Sequence, residues 1–395
     1  MRARAVIAFA TALIAVLLAG IWLGGHPGRL PNFLRKGFVD SSAGLTAEAG
    51  ELIQDNYYRS VGNTQLGNSS LQGMVRELRK RFHDRFSDYF SPEHLEQFNE
   101  EISGHFSGIG LSVKEVKRGL EVERVFAGSP AARAGIDAGD VIVSVDGHSL
   151  AGVDSTVATE RIKGPEGTDV VVGVLDAKTG KVRKVRLTRA QVSLPNVTHR
   201  VKTVDGRKLG YIRFLSFSEG AHAELREAVE KVEAEGAEGI VLDLRGNGGG
   251  LLEEAVLTAS IFLPKGQVVT TTESRTQGNA EYKTLGENLP KVPLVVLIDR
   301  NTASAAEILT AALADDAGAL VVGTRSYGKG VFQQEVDLSN GGALKLTIGE
   351  YFTPEHVNLA GKGIHPDVHA SDDPQTKSDE AMQRAFQVLA GQAQG

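Results

Sequence analysis

Pro293-Leu-Val-Val-Leu-Ile-Asp-Arg-Asn-Thr-Ala-Ser-Ala-Ala-Glu-Ile308 reads, in order, as an apolar strand, a turn of small and polar residues, and the start of a helix. The same grammar repeats on both sides of it. Strands are expected at 209–217, 239–244 and 319–323, and helices at 221–235, 251–262 and 304–314. Alternation of this kind predicts an α/β layer domain. A β-rich tail at 330–338 and 343–352 follows, and a polar segment at 371–379 leads into a last helix.

The turn places Ser304 in the first helical turn, with Oγ at the carboxyl end of a strand and the Ala305 amide pointing the same way. Small neighbours leave room for a substrate carbonyl. The plainer alternative makes Thr302 or Ser304 an N-cap and nothing more. A second turn, Asp243-Leu-Arg-Gly-Asn-Gly-Gly-Gly250, could present amides to an anion. Leu251 stands where a dinucleotide fingerprint needs its third glycine, so a tight strand-to-helix turn is the competing reading. A third segment, Gly323-Thr-Arg-Ser-Tyr-Gly-Lys-Gly330, follows the Walker A pattern until its last position, where Gly330 replaces the Mg²⁺-binding hydroxyl. Ser326 and Lys329 also spell S-x-x-K, but Lys178-Thr-Gly180 precedes them, the reverse of the order in penicillin-binding proteins.

No G-x-S-x-G elbow and no H-E-x-x-H metal pattern occurs. A serine can instead be activated by lysine, provided the amine is neutral near pH 7. Lys329 lies between two glycines before an apolar stretch, where burial could achieve that. Gln333, four residues on, could orient the amine without adding charge.

The chain is 395 residues long, which suggests two to three domains. Its 41% hydrophobic and 23% charged residues are those of a globular protein. A net charge of −6 gives no reason to expect nucleic acid, and the absence of Cys excludes thiol catalysis, disulfides and Cys-ligated zinc. Arg2 and Arg4 precede an uncharged run at 5–25, whose 19-residue centre would span about 28 Å as a helix. Residues 1–25 are therefore expected to be a signal-anchor, with a cleaved signal as the alternative. Residues 26–103 read as helical, with helices at 45–58, 71–82 and 92–102 and breaks at 62–63 and 67–70.

From Phe106-Ser-Gly-Ile-Gly-Leu-Ser-Val113 the pattern becomes β-rich, with a capped turn at 129–135, a strand ending in Asp146-Gly147 and a hairpin at 170–187. This order resembles a PDZ domain, placed at 104–190. Together with Ser304, Lys329, Gln333 and the 242–250 segment in sequence, the chain resembles the carboxy-terminal processing peptidases, or tail-specific proteases, over about 45–370. The resemblance implies a peptidase domain at 191–370 and a polar segment with a helix at 371–395. It implies Ser304 as nucleophile, Lys329 as general base and Gln333 as third member. The oxyanion donors would be the amides of Ala305 and a glycine, Gly249 with Gly248 as the alternative. Gly108, Ile109, Gly110 and Leu111 would form the PDZ loop that takes a substrate carboxylate. Lys163 stands where family members often have Arg. The expected function is a serine endopeptidase acting outside the cytoplasm on proteins with free C-termini, without metal or cofactor. A homodimer or an adaptor protein are the candidate partners. The alternative is a membrane-anchored PDZ scaffold with an inactive hydrolase domain.

Overall fold

The computed structural model describes residues 41–286, 289, 292–373, 375–376 and 378–392, together with Leu13 and Val16. The expected anchor at 1–25 lies outside the described residues apart from those two. Among the described residues, no helix is long and apolar enough to cross a membrane. The chain divides into two units, residues 1–91 with 343–345, and residues 92–342 with 346–395.

The first unit contains helices α1 (Ser41–Asn56) and α2 (Asn63–Phe82) and strand β1 (Asp88–Phe90), which pairs antiparallel with Ala343, Leu344 and Lys345. Helix α2 runs through 67–70, where the sequence suggests a break. Gly67 and Gly73 each sit in open space on a helix whose buried residue is Val75. A glycine in an exposed helix costs only about 1 kcal/mol. Arg79, Lys80 and Arg81 in the last turn favour the helix dipole in return.

The second unit opens with α3 (Pro92–Ser103). Then come β2 (His105–Gly108), β3 (Leu111–Val116), β4 (Gly119–Val125), α4 (Pro130–Arg133), β5 (Val141–Val145), β6 (His148–Ser149), α5 (Ser155–Ile162), β7 (Asp169–Leu175), β8 (Val182–Thr188) and β9 (Ala190–Ser193). Strands β3-β4-β5-β7-β8 form one sheet, with β6 on β5 and a separate β2-β9 pair. Its core joins Ile109, Leu120, Ile142, Leu150, Val172 and Val174. Ser129 caps α4 by accepting from Ala132 N, and Pro130 begins the helix, as expected.

The larger layer uses β10 (Val197–Val204), β11 (Arg207–Phe214), α6 (Ala221–Ala234), β12 (Ile240–Asp243), α7 (Leu252–Phe262), β13 (Val268–Ser274), β14 (Gly278–Lys283), β15 (Leu294–Ile298), α8 (Ala305–Ala317), β16 (Leu320–Gly323), β17 (Val331–Asp337), β18 (Ala343–Phe352), β19 (Val368–His369) and α9 (Glu380–Gln392). The sheet order is β10-β11-β12-β15-β16-β19, parallel except for β10-β11. Alternate side chains face opposite layers. Ile240, Leu242, Val296 and Ile298 pack with α6, α7 and α8, whereas Val241, Val295 and Leu297 pack with Phe386 and Leu389 of α9. Both faces are covered, which is why β12 and β15 are apolar at nearly every position. The β13-β14 hairpin and β10 have no counterpart in the sequence reading. Polar side chains fill the outward positions of both, so neither shows the apolar run that marks β15.

Candidate functional site

Strand β15 ends at Ile298, and the chain must turn sharply before α8. Asp299 organises that turn: Oδ1 accepts from the amides of Asn301 (2.9 Å), Thr302 (3.0 Å) and Gly246 (3.0 Å). The last bond reaches the glycine turn after β12. Two more bonds join the same loops, Thr302 Oγ1 to Leu244 O at 2.9 Å and Ala303 N to Asn247 O at 2.9 Å. The Ser304 turn and the glycine turn are therefore one assembly.

Ser304 sits at its tip with φ 58° and ψ −122°. A non-glycine residue in that region is strained, and strain of this kind is held in place by its surroundings. The residue occupies the N-cap position of α8 and forms a capping box with Glu307. The Glu307 amide also donates to the Ser304 carbonyl (2.8 Å). Cap and candidate nucleophile are thus the same residue, and the strained φ is a feature that capping alone does not require.

Glu307 does the holding. It is fully buried in the first turn of α8. Its Oε2 accepts from Ser304 N (3.0 Å) and Lys329 N (2.9 Å), and its Oε1 from Gly328 N (2.7 Å) and the Ser326 hydroxyl (2.5 Å). The Walker-like loop does cradle an anion through its amides, but that anion is the protein's own carboxylate. Ser326 is saturated too, since Oγ also accepts from Ile364 N at 2.7 Å. It supports the loop. Gly328 and Gly330 are small for a steric reason. A Cβ on Gly328 would meet Gly363 N at 2.8 Å, and one on Gly330 would meet Asn358 Oδ1 at 2.4 Å.

The expected oxyanion donors separate. Ala305 begins α8 beside Ser304, where a first-turn amide has no intrahelical partner. Gly249 is buried, and its amide donates to Asn247 Oδ1 at 2.9 Å, so in this arrangement it does not point an open N–H at a substrate. Its conformation and its lack of a side chain matter instead. At φ +97°, a Cβ would fall 2.8 Å from Ser304 Cβ and 2.9 Å from Ala305 N, the hydrogen-bonding distance at which an oxyanion would sit. Gly248 is exposed, and its amide meets no partner among the described residues. Lys329 is half-buried. Gln333, on β17, donates to Thr347 Oγ1 at 3.4 Å and is tied to this cluster by no bond through Glu307.

Sequence reasoning passed over Glu307 and Tyr351. The first had a signal, because Ser followed three residues later by Glu is the capping-box pattern. The second had none, since a tyrosine in a strand reads as core. Tyr351 is almost fully buried beside Ser304 and Glu307.

In the smaller sheet domain, Gly108, Ile109, Gly110 and Leu111 line a cavity of about 460 Å³ with Phe106 and Phe126. Gly110 has φ +83°, and a Cβ there would lie 2.1 Å from Ser129 Cβ. Glu100 of α3 pairs with Lys163 at the same cavity, and the Lys163 ammonium lies 5.9 Å from the Phe106 ring centre.

A model of peptidase family S41 matches residues 208–370, and a PDZ domain model matches residues 97–175. The chain is 33% identical over 331 residues to the carboxy-terminal processing protease CtpA of Bacillus subtilis (strain 168), covering 84% of this chain and 69% of that protein. It is 34% identical over 321 residues to a Staphylococcus aureus (strain N315) protein named "Probable CtpA-like serine protease", covering 80% of this chain and 62% of that one. The solved structure of a photosystem II D1 C-terminal processing protease superposes with a TM-score of 0.50 at 28% identity, over 90% of this chain and 99% of that one.

Proposed function

Because the chain belongs to peptidase family S41, as a PDZ-containing carboxy-terminal processing protease of the CtpA type, we propose that it hydrolyses peptide bonds through Ser304 with Lys329 as base. Ser304 Oγ attacks the scissile carbonyl while the neutral Lys329 amine takes its proton. The same proton passes to the departing amine as the C–N bond breaks, leaving an acyl-enzyme. Water then enters and attacks the acyl carbon while giving a proton to Lys329; as the C–Oγ bond breaks, Lys329 returns that proton to Ser304 Oγ and the new carboxylate leaves. The developing oxyanion is met by the Ala305 amide and, on the geometry above, by Gly248 rather than Gly249. Gly249 keeps the space open.

The observation that carries this reading is the elbow itself. Ser304 is held at a strained φ by a buried carboxylate that also holds the backbone of Lys329. Gln333, on β17 four residues beyond Lys329, is the third member in this scheme and would orient the amine without adding charge. The substrates are proteins or peptides with a free C-terminus, whose last residues enter the cavity beside Gly108, Ile109, Gly110 and Leu111 as an added strand. Phe106, Ile109, Leu111 and Phe126 give that cavity an apolar wall that would take an apolar terminal side chain. An extracytoplasmic site of action is supported by the uncharged run at 5–25, and membrane fractionation of the full chain tests it.

The test is cleavage of peptides with apolar free C-termini. Ser304→Ala and Lys329→Ala are expected to be inert while folding normally. Lys329→Arg is expected to be inert as well, because a guanidinium does not give up its proton. Undiminished turnover by Ser304→Ala overturns the assignment.

A further inference from the structure

Tyr351 is 2% exposed, and its hydroxyl is buried with no hydrogen-bond partner among the described residues. Its backbone is fixed on both sides. The N–H donates to Gly330 O at 3.1 Å, and the carbonyl accepts from Asn358 Nδ2 at 3.3 Å. A buried unpaired hydroxyl is destabilising, and Phe would fill the same space without that penalty. A tyrosine here calls for a partner that comes and goes.

Two groups stand beside the hydroxyl, the Glu307 carboxylate and the Ser304 side chain. Glu307 is already taken. Its two oxygens accept four donors, from Ser304, Lys329, Gly328 and Ser326. The Ser304 side chain remains, and a hydroxyl oxygen in a capping box keeps a second lone pair for another donor. Geometry puts the phenol in this cluster: the Tyr351 amide is bound to Gly330, next to Lys329, whose own amide shares Glu307 Oε2 with the Ser304 amide, and rotation about Ser304 χ1 is the soft coordinate that would bring the two hydroxyls into line. Burial, with the Glu307 charge, pushes the phenol well above its ordinary value, although the Ser304 hydroxyl opposes this. Tyr351 is consequently a neutral donor across the working range of pH.

We propose that Tyr351 is a positioning residue for the nucleophile: its O–H donates to Ser304 Oγ and so turns the serine proton toward Lys329. This rests on Ser304 being the nucleophile. One lone pair of Oγ is occupied by the phenol, so the hydroxyl hydrogen is left to face the amine. Tyr351 touches neither substrate nor the oxyanion in this scheme, and acts only through the rotamer of Ser304.

The experiment compares Tyr351→Phe, Ser304→Ala and the double variant with the full wild-type chain on one free-C-terminus peptide, with melting temperatures recorded. Tyr351→Phe is expected to lower kcat about tenfold, the worth of one hydrogen bond, with KM unchanged and the melting temperature unchanged or higher. The double variant should be no slower than Ser304→Ala. Wild-type kcat in Tyr351→Phe, with Ser304→Ala inert, overturns the positioning role and leaves the nucleophile assignment standing. Full turnover by Ser304→Ala overturns both. Loss of the fold on removing the hydroxyl would also overturn the proposal, because the group would then be structural.

Discussion

Ser304 and Lys329 hang from one oxygen: Oε2 of Glu307 accepts the amide of each, at 3.0 and 2.9 Å. The proposed nucleophile and base lie in different loops of the sheet, after β15 and after β16. A single buried carboxylate sets the spacing of their main chains, so the precision of the pair depends on a residue that touches no substrate.

Glu307→Gln tests that dependence at nearly constant volume. All four groups on Glu307 are donors, and a carboxamide offers one oxygen and one NH₂. Whichever way it turns, its NH₂ faces two donors. We expect a loss of about 3 kcal/mol in stability, from unmade buried hydrogen bonds, measured by chemical unfolding. Turnover of the folded fraction should fall by more than about tenfold. Wild-type stability and turnover together would remove Glu307 from this role.

Gly249→Ala and Gly248→Ala separate space from donation. At Gly249 the new methyl would stand 2.8 Å from both Ala303 O and Ser304 Cβ, with φ at +97°. We expect kcat/KM to fall about 100-fold or more, the scale of a lost oxyanion interaction. At Gly248 a Cβ meets nothing within 4 Å, and alanine keeps the amide. That variant should fold normally and retain most activity. Equal losses in the two would mean that the steric distinction between them is irrelevant to catalysis.

The residues that carry these arguments were unequally visible in the sequence. Ser304, Lys329 and the glycines at 246–250 announce themselves, because a nucleophile turn, a lysine between glycines and a tight strand-to-helix turn each demand particular residue types. The purpose of Gly328 did not show. Its amide donates to Glu307, about twenty residues earlier, and such a contact has no local pattern. The fold followed the same division. Strand β15 is apolar throughout and was legible. The β13-β14 hairpin, rich in Thr and Glu, pairs through its backbone and leaves little periodicity to read.

Asp315, at the end of α8, offers a pH test unrelated to catalysis. Partial desolvation of a residue that still reaches the surface, then Glu355 and Asp316, raise its carboxyl from 3.8 to about 6. A carboxyl raised in the folded state favours folding when protonated, and that contribution is lost as pH rises through 6. At pH 7 the ionised group therefore works against the fold. Asp315→Asn should be more stable than wild type at pH 7 and equal to it near pH 4. Because the residue is exposed at the surface, the gain should not exceed about 1 kcal/mol. Melting curves of the two proteins from pH 4 to 8 check this, and a constant difference across the range would refute it.

The ion pair between Glu100 and Lys163 lines the same cavity as the proposed carboxylate loop, with side chains 22% and 36% exposed. A terminal carboxylate arriving at Gly108, Ile109 and Gly110 meets a lysine whose charge is already answered. Glu100→Gln removes that answer and leaves the ammonium available to the peptide. An exposed or half-exposed pair is worth less than about 1 kcal/mol. The variant should therefore bind a free-C-terminus peptide about threefold more tightly, with the gain shrinking as salt is added. The same peptide with an amidated terminus should show no gain. Lys163→Met should weaken binding of the free carboxylate in Glu100→Gln more than in wild type, because only there is the lysine unpaired. If Glu100→Gln tightens the amidated peptide equally, Lys163 is not reading the carboxylate and the pair is only a clasp between α3 and the end of α5.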